Sequence, residues 1–254
     1  MTVSVGIVTY NSADDVVSLL DSLFAQTKGV DLSVYVADNA SADNTREVIA
    51  SRYPQVHLLA LSENLGFGAA HNRLLREVSS DVHAIVNPDI VFEEDALTAL
   101  GAYLQEHDDA VLVTPLIRNV DGTPQAVPRV LPKHRYMFAG QLERFGGVFR
   151  RWRDDYTRRN ETFDGPTDIE SCTGCFMTVR TAVLKAVGGF DERFFMYMED
   201  ADLSRRLARH GRLVLLPQVS VVHRWEKASG KSLTFLKIHL RSMRLYFSKW
   251  RREA

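Results

Sequence analysis

In the first half of this chain, short apolar runs rich in β-branched side chains alternate with segments whose apolar residues recur every three or four positions. Runs at 3–8, 32–37, 56–61 and 82–86 read as strands, and 13–26, 43–52, 68–78 and 94–106 as helices. Within 13–26, Val16, Val17, Leu20, Leu23 and Phe24 fall at helical spacing. Such alternation predicts an α/β fold with a mostly parallel sheet and helices on both faces. In sheets of this kind ligands bind beyond the carboxyl ends of the strands. The polar residues gather at those ends, as Thr9-Tyr10-Asn11, Asp38-Asn39-Ala40-Ser41, Ser62-Glu63-Asn64 and Asn87-Pro88-Asp89.

The alternation fails over 115–167, where Pro115, Pro124, Pro128, Pro132 and Pro166 punctuate a locally basic stretch. A long irregular loop is expected there, of the functional or mobile kind. Order returns with a strand over 171–179, a helix from Thr181, a helix that opens on an acidic cluster and is closed by Gly211, and a strand over 212–216. At 254 residues and 45% hydrophobic content the chain can bury the core of one large domain or two small ones. The net charge of -1 gives no reason to expect nucleic acid as a partner. Two cysteines, Cys172 and Cys175, provide no disulfide framework and point to a reducing compartment. They form a CxxC without a second ligand pair, which argues against zinc. The opening residues read as a strand and not a signal peptide, and no apolar run approaches the roughly 20 residues that span a bilayer. A soluble or peripheral protein is expected.

Several constellations carry chemistry, each with a plainer alternative. Glu199, Asp200 and Asp202 lie within four residues at a helix start, just after Phe194, Phe195, Met196 and Met198. A carboxylate fixed there among apolar side chains is a candidate general base; the alternative is favourable charge at a helix N-terminus. Asn87-Pro88-Asp89 follows an apolar strand, and the proline biases Asn87 towards an extended backbone, so that Asn87 and Asp89 project into the crevice. A hard cation on a diphosphate needs only one or two protein oxygens; a simple turn is the alternative. Asp38 is placed to accept from a base or ribose, or to cap the next helix. The small residues in Asn64-Leu65-Gly66-Phe67-Gly68-Ala69-Ala70-His71-Asn72 permit close approach of a ligand, or serve helix–sheet packing.

As an ordered set these pieces resemble the family 2 glycosyltransferases of GT-A fold. The matching segments are Val8-Thr9-Tyr10-Asn11, Val36-Ala37-Asp38-Asn39-Ala40-Ser41, Glu63-Asn64-Leu65-Gly66-Phe67-Gly68, Asn87-Pro88-Asp89, Gly174-Cys175-Phe176-Met177, Gly188-Gly189-Phe190-Asp191-Glu192-Arg193-Phe194-Phe195 and Glu199-Asp200. The family's metal motif is usually Asp-x-Asp; Asn87 replaces its first acid, as in the branch of bacterial rhamnosyltransferases of surface polysaccharides. The resemblance implies that Thr9, Tyr10, Asn11 and Asp38 hold the nucleoside, with Asn64, Gly66 and Asn72 near the donor and Asn87 beside the diphosphate. It implies Mg2+ or Mn2+ on Asp89 and Asp200 as the base of an inverting displacement. His223, a lone histidine at a strand end, is structural or, as in some related transferases, an added metal ligand. Gly174, Glu199 and Trp225 fall on the acceptor side; Trp225 stacks on a sugar or simply packs.

A final helix is expected over 231–252. Leu233, Leu236, Leu240, Met243, Phe247 and Trp250 form one stripe, flanked by Lys237, Arg241, Arg244 and Arg252, with Lys249 adding charge. This suits an anionic membrane surface, or packing on the domain or a second subunit in a homodimer; mixed use is the expectation, with the stripe packed and the basic flank towards lipid. The expected organisation is a transferase domain over 1–226, with a nucleotide-sugar half to about 114 and an acceptor half from about 115, followed by the helix over 227–254. The resemblance implies a cytoplasmic enzyme, peripheral on the inner face of the plasma membrane. It would move a sugar, L-rhamnose from dTDP-rhamnose or another sugar from a UDP or dTDP donor, onto a lipid-linked or growing glycan. From other classes, a nucleotidyltransferase would want a basic Gly-rich loop after the first strand, which Thr9-Tyr10-Asn11-Ser12 is not. A non-catalytic nucleotide-sugar binder would not need both Asp89 and Asp200.

Overall fold

The computed structural model describes residues 1–125, 128–224 and 233–251. Elements follow in the order β1 (Thr2–Thr9), α1 (Ala13–Gln26), β2 (Asp31–Asp38), α2 (Thr45–Arg52), β3 (His57–Ala60), α3 (Phe67–Leu75), β4 (Val82–Val86), β5 (Ile90–Val91) and α4 (Ala96–Glu106). Then come β6 (Ala110–Arg118), α5 (His134–Leu142), α6 (Gly147–Thr157), β7 (Thr167–Asp168), β8 (Phe176–Arg180), α7 (Thr181–Ala186), α8 (Glu199–Leu207), β9 (Arg212–His223) and α9 (Leu233–Lys249). Among the described residues one nine-stranded sheet runs β3-β2-β1-β4-β8-β6-β9-β5, with β7 beside β9. β1 pairs in parallel with β2 and β4, β2 with β3, and β6 with β9; β8 lies antiparallel between β4 and β6. β1, β2, β3, β4, β6 and β9 therefore all point one way, and the mostly parallel α/β expectation holds.

Both faces of the sheet are covered. Val3, Val5, Ile7, Val34, Val36 and Val86 pack against Val16, Leu19, Leu20 and Leu23 of α1 and Leu97, Leu100 and Leu104 of α4. On the other face, Ile85, Leu112, Met177, Val179 and Leu213 meet Leu75 of α3, Leu184 of α7 and Leu203 and Leu207 of α8. Burial of each such side chain contributes about 1.5–3 kcal/mol, which is what holds the strand ends in register.

Three features depart from the expected pattern. β9 continues past 216 to His223, because its ladder with β6 shifts register between Pro115 and Leu116, where the partners jump from Leu216 to Ser220. Pro217 lacks an N–H and is accommodated in that bulge. The stretch 115–167 is not one loop: β6 runs through Pro115, and α5 and α6 occupy the proline-free interval after Pro132. Finally, α9 is packed most fully on the protein along its C-terminal half, with His239 meeting the Tyr197 ring further up. Tyr246, Phe247 and Trp250 join Phe194, Met198 and Ala201 in one buried cluster, whereas Leu236 and Leu240 stay 45% and 42% exposed.

Candidate active site

The crevice lies at the carboxyl ends of β1, β2 and β4. At the end of β1, Tyr10 stands half-exposed and Asn11 takes a left-handed backbone (φ 52). The Asn11 amide N–H donates to Ser41 Oγ at 2.9 Å, and its side-chain oxygen accepts from Ala42 N at 2.8 Å. Asp38, fully buried, accepts from Thr9 Oγ1 (3.1 Å), from Ser41 N (3.0 Å) and Ser41 Oγ, and from Arg46 Nε. Burial alone would raise its pKa, but the Ser41, Arg46 and Thr9 hydrogen bonds outweigh that and hold it below the usual carboxylate value. Both of its oxygens are thus committed to the loop that shapes the crevice wall.

The segment before α3 is pinned from two sides. Asn39 donates to Gly66 O at 3.1 Å and accepts from Leu65 N at 2.8 Å, and Asn64 Oδ1 accepts from Gly66 N at 2.9 Å. Gly66 has φ 85, and a Cβ there would lie 2.3 Å from the Phe195 carbonyl oxygen. Only glycine fits. The Asn72 amide donates to Phe190 O and accepts from Phe190 N, both at 2.8 Å, and so clamps the turn that leads to the acidic segment.

Asp89 and His223 come together through the antiparallel pairing of β5 with β9, where Ile90 lies opposite His223. His223 Nε2 is 3.1 Å from Asp89 Oδ1, and the two atoms are buried and neither makes a hydrogen bond within the described residues. Two ligands of one small octahedral cation, each at about 2.1 Å and at right angles, stand about 3 Å apart. The pair therefore fits two positions of a divalent cation. No group of three His, Cys, Asp or Glu side chains suited to a metal occurs among the described residues.

Asp200 opens α8. Met198 and Tyr197, directly before it, both adopt left-handed backbone (φ 67 and 70), which turns the chain sharply into the helix. The Gly174 N–H donates to Asp200 Oδ2 at 3.3 Å, and Ala201 N to its Oδ1 at 2.8 Å. One residue further on, Cys175 O accepts from Asn87 N at 2.9 Å. Gly174 and Cys175 thus hold Asp200 on one side and the Asn87-Pro88-Asp89 turn on the other. Glu199 does not line an acceptor wall: it is buried, and Oε2 has no partner among the described residues. Burial, then the adjacent Asp200 charge, pushes its pKa up to about 8, which favours its neutral form. Trp225 lies outside the described residues. Both cysteines are free and buried, and burial raises both thiols, Cys175 to about 11, so neither is poised for redox chemistry.

Some participants carried no recognisable sequence signal. Gln125 contacts His223, and Arg129, whose guanidinium lies 5.7 Å from the Tyr156 ring centre, brings positive charge to the Asp200 side of the crevice. Both come from the proline-punctuated stretch, where only folding reveals what is adjacent.

The sequence pattern of Glycosyl transferase family 2 matches residues 4–188. The chain belongs to glycosyl transferase family 2. Among its family 2 relatives, the N-acetylglucosaminyl-diphospho-decaprenol L-rhamnosyltransferase of Mycobacterium tuberculosis is 31% identical over 95% of this chain and 82% of its own. Rhamnosyltransferase WbbL of Escherichia coli is 26% identical over 85% of this chain and 81% of its own. The crystal structure of GalNAc-T7 with UDP, GalNAc and Mn2+ superposes with a TM-score of 0.73 at 14% identity, covering 99% of this chain and 49% of that one. At that identity the likeness establishes the GT-A fold, and this chain spans about half of that longer protein.

Proposed function

We propose that this protein is an inverting glycosyltransferase that moves L-rhamnose from dTDP-rhamnose onto a lipid-linked or growing surface glycan. The observation that carries the reading is the Gly174-Cys175 span, which holds Asp200 through one residue and the Asn87-Pro88-Asp89 turn through the next. A base and a diphosphate site on opposite sides of one short span suit a single in-line displacement. The names of the mycobacterial and Escherichia coli relatives support rhamnose as the sugar, and the former supports a polyprenyl-diphosphate-linked acceptor.

In this scheme Tyr10 stacks on the base, Thr9, Asn11 and Asp38 shape the nucleoside pocket, and Asn64 and Gly66 hold the loop against the donor. Asp89 and His223 hold Mg2+ or Mn2+, with Asn87 beside the diphosphate. A cation held there would supply positive charge to the departing diphosphate. The Asp200 carboxylate takes the proton of the acceptor hydroxyl as its oxygen bonds to the anomeric carbon and the bond to the diphosphate breaks. Entry and departure on opposite faces invert the configuration. Glu199, neutral behind Asp200, leaves a single negative charge at the base. Residues to about 114 serve the donor and those of 115–226 the acceptor. The exposed Leu236, Lys237, Leu240, Arg241 and Arg244 of α9 form one face suited to an anionic membrane, with the protein peripheral on its cytoplasmic side. Among the described residues no helix is long and apolar enough to cross a bilayer.

The test is a donor panel of dTDP-rhamnose, UDP-glucose and UDP-N-acetylglucosamine with an N-acetylglucosaminyl-diphospho-lipid acceptor and Mn2+. Nucleoside diphosphate release from dTDP-rhamnose alone, with an inverted linkage by NMR, is expected. Turnover of a UDP-sugar in its place would move the donor assignment, and a retained linkage would end the single-displacement mechanism.

A further inference from the structure

After Arg118 of β6, the chain turns back on itself through Asn119-Val120-Asp121-Gly122-Thr123. The turn is closed by Asn119 N to Thr123 O at 2.8 Å and by Asp121 Oδ1, which accepts from Thr123 N at 2.9 Å; Gly122 takes φ 80. The returning strand pairs Arg118 with Pro124, and Gln125 N donates to Ile117 O at 2.8 Å. Ile117 is itself paired with Val221 of β9. This turn delivers the Gln125 side chain to His223, two residues along β9.

The Gln125 amide touches His223 twice. Its Nε2 donates to the His223 backbone oxygen at 3.1 Å, and its Oε1 lies 3.0 Å from the ring Nδ1. A backbone carbonyl can only accept, so it fixes which end of the amide carries the nitrogen. The oxygen end therefore faces Nδ1, and an amide oxygen can only accept. Nδ1 must carry the proton. In the neutral ring Nε2 is then a bare acceptor, 3.1 Å from Asp89 Oδ1, another acceptor, and the two are not hydrogen-bonded. A proton on Nε2 instead would occupy the lone pair that a cation needs.

We infer that Gln125 is a positioning residue for the cation site: it locks His223 in the Nδ1–H form and thereby keeps Nε2 and Asp89 Oδ1 open to a divalent cation. The inference rests on the proposed use of Asp89 and His223 as metal ligands and adds the group that orients one of them. Partners of this kind raise metal affinity by fixing the ring and its basicity, and their loss costs about 10–100-fold.

Two measurements test it on the full chain. In metal-free protein at pH 8, with 15N-labelled histidine, the His223 ring should give the Nδ1–H pattern in the wild type. It should change to Nε2–H in Gln125→Leu, and return to Nδ1–H in Gln125→Glu, whose carboxylate still accepts from Nδ1. Mn2+ binding in the presence of dTDP, followed by electron paramagnetic resonance, should weaken about 10–100-fold in Gln125→Leu and recover in Gln125→Glu. An Nε2–H ring in the wild type, or wild-type Mn2+ affinity in a folded Gln125→Leu protein, would overturn the role of Gln125. If His223→Ala binds Mn2+ as tightly as the wild type, the histidine is not a ligand, and it is the site reading that fails.

Discussion

The indole Nε1 of Trp250 donates a 2.9 Å hydrogen bond to Oδ1 of Asp202, which is wholly buried in the helix that presents Asp200. Lys249 Nζ reaches the same oxygen at 2.7 Å and Asp191 Oδ2 at 2.7 Å, and Arg206 Nε holds the other Asp202 oxygen at 2.9 Å. Ser242 adds a bond to the Met196 carbonyl at 2.7 Å, just before the left-handed Tyr197 and Met198. The C-terminal helix therefore braces the turn that aims the proposed base. Trp250→Phe leaves a buried carboxylate one donor short, at a cost of about 1.5–3 kcal/mol, and trims part of a buried ring, which adds to the loss. Urea denaturation should show that loss. Truncation before α9 should abolish turnover even of a soluble acceptor analogue; full activity in the truncated protein would mean the brace is dispensable.

Asp200→Asn should retain donor binding and lose turnover by about 10²–10⁴-fold, the usual contribution of a general base. Calorimetric titration with dTDP alongside steady-state rates separates the two. Near-normal turnover would remove Asp200 from the role.

Asp89→Ala should weaken dTDP binding more with Mn2+ present than in chelator, and His223→Ala should do so to a smaller extent. Binding of dTDP that is indifferent to chelator in the wild type would leave Asn87-Pro88-Asp89 as a donor-side turn only.

Glu199 gives a pH signature in stability. Its folded pKa of about 8 exceeds the ordinary 4.5 because burial, then Asp200, disfavours its charged form. Between those values the unfolded chain sheds a proton that the folded chain keeps, so this group lowers stability progressively as pH rises through the window. Glu199→Gln removes the effect. The variant should match the wild type near pH 4.5 and melt at least about 2–4 °C higher at pH 8, the response of a protein of this size to about 1 kcal/mol. Equal melting temperatures at both pH values would show that Glu199 ionises normally.

Leu236 and Leu240 with Lys237, Arg241 and Arg244 should carry the protein to anionic vesicles. Each basic group near such a surface is worth about 1 kcal/mol, and the attraction fades with salt. Arg241→Glu with Arg244→Glu should reduce pelleting with anionic vesicles and leave neutral ones unaffected. Equal, negligible pelleting of the wild type with both would end the membrane reading, and a dimer in analytical sedimentation would then account for the exposed leucines.

Periodicity determined the alternating helices and strands from β1 to α4 apart from the short β5, and with them the crevice at the strand ends, because these follow from local hydrophobic spacing; Asp38, Asn87, Asp89 and Asp200 stood out only as an ordered set resembling the family's motifs. The interior of 115–167 and the full length of β9 are not legible locally: Pro115 and Pro217 lie within strands whose broken ladders are absorbed by a register shift, which no local pattern predicts. Only the tertiary structure decided that Asn72 clamps the Phe190 turn and Glu199 is buried behind Asp200, that Lys249 and Trp250 secure Asp202, and that Gln125 reaches His223. Each of these depends on contacts between residues distant along the chain. Burial and pairing across such distances, unlike periodicity, exist only once the sheet has assembled.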